Sequence, residues 1–176
     1  MQINFSILRH EDLPFFIEVR NSVRLNLHDP REFSLEEAVE WFSRTEVKYW
    51  VISLESTKVG YFRLSKLSDL SWQIGADIHP IYQGKGIASV AYPLFIDEIV
   101  RVIDPQPIFL NLRVLVNNSK AFSLYKKLGF EDSGRQKDYY KIGQHAVNME
   151  LQVSRLHNTN ANANANIAEK GDIAAR

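Results

Sequence analysis

The feature that most limits what this chain can become is the run Gln83-Gly84-Lys85-Gly86-Ile87-Ala88-Ser89. It follows a strand-like stretch, Ser71 to Ile78, and the breaker His79-Pro80. It opens a helix-like stretch that runs from Ile87 to about Arg101. A strand that enters a helix through a glycine-rich turn leaves the first-turn N–H groups unpaired and pointing outward. With the positive end of the helix dipole they make an anion site, well suited to phosphate. Gly84 and Gly86 carry no Cβ, so a phosphate can lie directly against the backbone. Lys85 can add a point charge. The turn is not a Walker A loop, because Gly86 follows Lys85 where Ser or Thr is required. The dinucleotide fingerprint fails as well. Ser89 stands at its third glycine, and Asp104 precedes the next strand instead of ending one.

The elements around this turn follow from periodicity. Gln2 to Arg9 alternates Ile3, Phe5 and Ile7 with Asn4 and Ser6, which predicts a strand. Glu11 to Leu25 has Leu13, Phe16, Ile17 and Arg20 at helical spacing, with Pro14 in the first turn. Asn26 to Phe33 reads as a loop. Ser34-Leu35-Glu36-Glu37 is a capping box, and it opens a helix whose apolar face is Leu35, Ala38, Val39 and Phe42. The period then falls to 2: Trp50, Ile52 and Leu54 alternate with Tyr49, Val51 and Ser53. Turns at Glu55–Lys58 and Ser65–Asp69 return the chain through Val59–Leu64 and Leu70–Ile78, an antiparallel meander. In the helix after the glycine turn, Ile87, Val90, Ala91, Leu94 and Phe95 predict the buried stripe. Pro93 inside it should free the Ser89 carbonyl and kink the axis. Ile108 to Val116 is a strand. Asn117-Asn118-Ser119 ends it and can cap a helix with Ala121, Leu124, Tyr125 and Leu128 on one face and Gly129 past its end. Phe130–Lys141 and His145–Leu151 predict two closing strands.

A chain of 176 residues suits one domain. Lysine plus arginine and aspartate plus glutamate are 21 each, so the charge balance calls for neither nucleic acid nor an anionic membrane. The chain has no cysteine, which excludes disulfides, thiolate chemistry and cysteine-based zinc sites. No apolar run approaches a membrane span, and a cytoplasmic protein is expected. The domain is expected over residues 1–153, followed at 154–176 by a low-complexity tail centred on the Asn/Ala repeat 158–166. Such a repeat buries too little apolar surface to offset chain entropy. Removing residues 157–176 is therefore expected to leave the melting temperature and ligand affinity nearly unchanged. A drop of several degrees in a thermal scan would show that the tail packs on the domain.

Two motifs together carry a family resemblance. Gln83, Gly86 and Ala88 fit a Gln/Arg-x-x-Gly-x-Gly/Ala signature. Val114 to Phe130 fits a strand, Asn-x-x-Ala, Leu-Tyr, Gly-Phe pattern through Asn118, Ala121, Tyr125, Gly129 and Phe130. In this order and between these elements, they resemble the GNAT-type N-acetyltransferases over roughly Ile3 to Leu151. The resemblance implies an α+β GNAT fold: a mixed, mostly antiparallel sheet of six to seven strands with about four helices. Its strands 4 and 5 would be parallel and splayed, so that the pantetheine arm of acetyl-CoA lies between them. Pro80 and Asn117 stand where these strands should part. The backbone of Ala76, Asp77 and Ile78 would pair with that arm. Gln83, Gly84, Lys85, Gly86, Ile87, Ala88 and Ser89 would hold the pyrophosphate, and Asn118 would bond the arm. No metal is implied.

The chemistry implied is attack of a neutral amine on the thioester carbonyl. A backbone N–H near Ile78 would stabilise the developing oxyanion, and Tyr125 would protonate the departing thiolate. The structural alternative for Tyr125 is a core aromatic on its helix stripe. The family's usual base positions hold Gln73 and Arg113, neither of which serves as a base at neutral pH. Asp77 is the fallback base, unless its side chain simply faces solvent. A water relay or an amine arriving neutral would need none. His28, His79 and His145 read as loop or strand histidines. Arg20-Asn21 and the capped Ser34–Glu37 loosely resemble the acceptor-side region of enzymes acting on protein N-termini or amino sugars. Asp29, Glu32, Glu36 and Glu37 could attract an amine or serve the helix dipole. Tyr139 or Tyr140 could line the acceptor pocket. The expected activity is acetyl transfer from acetyl-CoA to a primary amine on a small molecule or peptide, by a monomer or homodimer. The alternative is a non-catalytic acyl-CoA-binding module.

Overall fold

A computed structural model describes residues 1–43, 46–104 and 107–154. The expected tail, apart from Ser154, lies outside them. Seven strands are present: β1 (Ile3–Ile7), β2 (Val47–Leu54), β3 (Thr57–Lys66), β4 (Ser71–Ile78), β5 (Ile108–Leu115), β6 (Glu131–Lys141) and β7 (Gln144–Val153). They form one sheet in the order β1-β2-β3-β4-β5-β7-β6, antiparallel except for β4 and β5. The helices are α1 (Leu13–Ser22), α2 (Leu35–Phe42), α3 (Ile87–Val102) and α4 (Ser119–Lys127). The α+β architecture expected from the sequence is the one the chain adopts.

β2 and β3 read as almost unbroken apolar runs because helices cover both faces of the sheet there. On one face Trp50, Ile52, Phe62 and Leu64 pack with α3, and Phe62 stacks on Phe95 at 4.1 Å. On the other, Tyr49, Val51 and Tyr61 meet Leu13, Phe16 and Val19 of α1 and Ala38 of α2.

Several helix details differ from the sequence reading. α1 is shorter than Glu11–Leu25, because the chain enters and leaves it through 3₁₀ turns at His10–Asp12 and Arg24–Asn26. At its end the Ser22 hydroxyl bonds the Val19 carbonyl at 2.6 Å, competing with the helical ladder. The capping box at Ser34 forms in both directions. Yet α2 buries Ala38 and half-buries Trp41 and Phe42, leaving Leu35 and Val39 exposed. The stripe of α3 is also rotated from expectation: Ala91, Tyr92, Phe95, Ile96, Ile99 and Val100 are buried and Val90 is exposed. α3 runs unbroken through Pro93. Ser89, which loses the hydrogen bond, is exposed, so water can satisfy its carbonyl.

Arg20 and Asn21 are structural clamps. Arg20 is buried, lies 3.7 Å over the Phe33 ring, and donates to the backbone carbonyls of Asp29 and Arg31. Asn21 bonds the Phe33 N–H and carbonyl. Together they hold the segment between α1 and α2. That segment reaches across to β6, where His28 Nδ1 meets the Tyr139 carbonyl at 2.8 Å.

Candidate active site

The glycine turn has the geometry of an anion cradle. Gly84 and Gly86 sit at φ +74° and +77°, and no atom lies within 4 Å of where a Cβ would stand on either. Gly86 immediately precedes α3, whose end no side chain caps. The N–H groups of Ile87, Ala88 and Ser89 therefore have no helical partner and remain available to a ligand. The Ile87 side chain is buried in the core, so only its backbone can serve. Lys85 is exposed, with Nζ 5.4 Å from the Tyr82 ring centre. Gln83 ties the turn to the sheet: its Nε2 donates to the Ile78 carbonyl at 2.8 Å.

That carbonyl stands at the mouth of a gap. β4 and β5 pair over three positions only, Ser71↔Phe109, Trp72↔Leu110 and Gln73↔Asn111. Beyond these they separate, although each keeps full pairing with its outer neighbour, β3 or β7. The strands thus part well before Pro80 and Asn117, and the divergence belongs to the sheet rather than to the breakers. Strand alternation assigns the peptide groups lining the gap. The His79 N–H bonds Val59 toward β3, and the Leu70 carbonyl accepts from Phe109 toward β5. Ala76 and Ile78, with the Ile74 carbonyl, accordingly turn their N–H and C=O groups into the gap, while Asp77 turns its own toward Tyr61 of β3. Peptide groups left without a strand partner call for a hydrogen-bonding ligand or water. An open glycine cradle continuous with such a gap fits the pyrophosphate and amide-bearing arm of acetyl-CoA.

Tyr125 is fixed on the α3/α4 face of the sheet. Gly129, at φ +90°, closes α4 in a Schellman turn: Phe130 N–H bonds the Tyr125 carbonyl at 3.0 Å and Gly129 N–H bonds Lys126 at 3.1 Å. Phe130 then packs edge-on against the Tyr125 ring at 5.8 Å. The Gly-Phe pair at the motif's end is thus what aims the tyrosine. The Tyr125 hydroxyl lies 3.2 Å from that of Tyr92, a buried residue of α3. Both hydroxyls feel the charges of Arg63 and Asp77 on β3 and β4. Burial pushes the Tyr125 hydroxyl above its ordinary value, and the hydrogen bond from Tyr92 offsets part of that rise. Tyr125 therefore keeps its proton across the neutral range. Asn118 caps α4, its Oδ1 accepting from Ala121 N–H at 3.1 Å, which leaves its NH₂ end for a ligand.

On the opposite face, Asp77 is not available as a base. Its buried carboxylate pairs with Arg63 and bonds the Tyr61 hydroxyl. Gly75 makes this pair possible, since a Cβ there would stand 2.9 Å from Arg63 Nη2. Burial and the carboxylate drive Tyr61 well above its ordinary value, and Asp77 raises Arg63. Two further histidines are also engaged within the fold, His79 with Ile81 N–H and Glu18, and His145 with Asp138 N–H. Asp29 and Glu37 pair with Arg31, and Glu32 with Arg24. Where the gap closes, a hollow of about 180 Å³ is lined by Leu67, Gln73, Asn111, Leu112, Arg113, Ser133 and Asn148. Arg113 Nη1 donates to Gln73 Oε1 at 3.3 Å and to the Tyr139 hydroxyl at 3.2 Å. Sequence reasoning missed Tyr92, Asn111 and Asn148. Tyr92 alone had a signal, a place on the α3 stripe once that stripe is rotated.

The chain thus brings together a sheet split between parallel strands, an open glycine turn at the head of α3 and a buried tyrosine on the α3/α4 face. The sequence matches the acetyltransferase (GNAT) domain over residues 3–131, and the chain belongs to this family of acetyl-CoA-dependent transferases. Solved structures agree in fold. The yncA protein of Salmonella typhimurium, solved with its cofactor acetyl-CoA, superposes with TM-score 0.73 at 16% identity, over 88% of this chain and 96% of that one. Spermidine N-acetyltransferase from Vibrio cholerae, in complex with CoA and spermine, gives 0.76 at 22% identity, over 86% and 95%. Ribosomal-protein-alanine N-acetyltransferase from Brucella melitensis gives 0.72 at 18% identity, over 85% and 99%. No curated protein matches the chain by sequence. Among the described residues no helix is long and apolar enough to cross a membrane, and no cluster of side chains could hold a metal ion.

Proposed function

We propose that this protein transfers the acetyl group of acetyl-CoA to the nitrogen of a primary amine that enters the hollow on the α1/α2 face. The observation that carries the reading is the two-sided gap. A proton-bearing tyrosine stands on one face, and a polar chamber opens on the other. Backbone N–H groups of Ala76 and Ile78, turned into the gap, are placed to receive a developing oxyanion. Tyr125 returns a proton to the sulfur as the C–S bond breaks. Among the described residues lining the chamber none is a carboxylate or imidazole. The amine is therefore brought to its neutral form by desolvation and by the nearby Arg113 cation, both of which disfavour an ammonium.

The similar solved structures include enzymes named for spermidine and for a ribosomal protein's alanine, so amine chemistry is common ground and the particular amine is open. The experiment is a panel of amines with acetyl-CoA, scored by free thiol and by product mass. Thiol release that depends on an added amine, with a product 42 Da heavier (roughly one acetyl group), is the expected result. Acetyl-CoA binding without amine-dependent release across the panel would make the chain a non-catalytic acyl-CoA-binding module.

A further inference from the structure

The geometry points to an acceptor that is itself a zwitterion: a small amine carrying a carboxylate, of the amino-acid kind, with Arg113 reading the carboxylate and Asn148 receiving the amine. The inference rests on the transfer reaction proposed above and names its substrate class.

Arg113 lies on β5 two residues beyond Asn111, the last position at which β4 and β5 pair. It is therefore at the closed end of the gap, opposite the mouth where the glycine turn sits. Its guanidinium contacts neutral groups, the Gln73 amide oxygen and the Tyr139 hydroxyl, and lies 5.0 Å from the Tyr139 ring centre. No ion pair to it forms among the described residues. Arg24, Arg31, Arg63, Arg101 and Arg135 each meet a carboxylate, and Arg20, which does not, is buried and spent on two backbone carbonyls. A guanidinium held by neutral oxygens at long distances keeps donor capacity for an anion, and its fork suits a carboxylate.

Asn148 supplies the second half. It is directly opposite Arg113 on β7 and lines the same hollow. Its Oδ1 is buried and accepts no hydrogen bond within the described structure. A buried orphan acceptor calls for a donor. One cation and one orphan acceptor, side by side on neighbouring strands and separated by about 5 Å at the backbone, match the two polar ends of an amino acid. A polyamine offers only cations, which Arg113 repels. Glu150, on β7 directly opposite Asn111 of β5, does not line the hollow.

The test uses the twenty protein amino acids, their C-terminal amides, spermidine and short peptides as acceptors. The expected wild-type result is a preference for at least one free acid over its amide of about 10- to 100-fold in kcat/KM, the size of a charged hydrogen-bond partner. Arg113→Gln should erase that preference while calorimetry shows unchanged acetyl-CoA affinity. Asn148→Leu should lower turnover of acid and amide alike. Equal use of acids and amides, or preference for spermidine or peptide N-termini, overturns the inference. Failure of the transfer reaction itself would appear separately, as no amine-dependent thiol release. In that case saturation-transfer NMR on the CoA-bound protein reads acid against amide binding directly, and no Arg113-dependent preference there overturns the inference as well.

Discussion

The Gly86→Val protein is expected to fold and to lose acetyl-CoA binding by about two orders of magnitude or more. Apart from its chain neighbours, nothing in the described structure lies within 4 Å of the Cβ position, so the added Cβ stands in open space. The folded state bears only the strain of a β-branched residue at φ +77°, about 1–2 kcal/mol. Pyrophosphate held at this turn, by contrast, would have to approach the space the side chain fills. It would lose hydrogen bonds to the free amides of the first turn of α3. Charged hydrogen bonds contribute about 1.5–3 kcal/mol each, and two of them correspond to roughly 10²–10⁴-fold in affinity. Circular dichroism checks the fold and titration calorimetry the affinity. Unchanged affinity in a folded variant would remove the pyrophosphate from this turn.

Tyr125→Phe is expected to lower kcat by about 10²–10⁴-fold, the usual contribution of a positioned acid, or roughly 3–5 kcal/mol of barrier. Acetyl-CoA affinity should stay near wild type. The substitution is not silent in the fold. Tyr92 is buried and its hydroxyl bonds that of Tyr125. Removing the partner leaves a buried hydroxyl unpaired, at about 1–3 kcal/mol, and the melting temperature should fall by several degrees. The double variant Tyr92→Phe/Tyr125→Phe separates the two effects, since removing both hydroxyls restores stability without restoring the proton donor. Recovery of kcat in the double variant would make the single variant's defect structural. A fall in affinity with kcat intact would make Tyr125 a binding residue. The assay requires chemistry to limit the rate, which single-turnover measurements establish.

The elements legible in the sequence are those whose causes are local. The Ser34–Glu37 capping box, the Asn118 cap, the positive-φ glycines at 84 and 86 and the Schellman turn at Gly129 each depend on residues within a few positions of one another. Their side-chain chemistry admits few alternatives, so the glycine turn at the head of α3 and the turn that closes α4 behind Tyr125 could both be placed from residue types alone. The meander of β2, β3 and β4 follows for the same reason, from period 2 and short connections.

What only the tertiary structure decided depends on register and on which face each residue takes. The rotation of the α3 stripe, set by packing against Phe62 and Trp50, brought Tyr92 rather than Val90 inward and gave Tyr125 its partner. Pairing of Arg63 with Gly75 across β3 and β4 carried the guanidinium over a glycine to Asp77 and took that carboxylate out of the running as a base. The point at which β4 and β5 part lies after Gln73, because each strand remains fully paired on its other side and only the rungs between them are given up. Arg113 and Asn148 are 35 positions apart in the chain and opposite each other on neighbouring strands. No local pattern marks such a pair, because the contact exists only once the order β5-β7-β6 and its register are set.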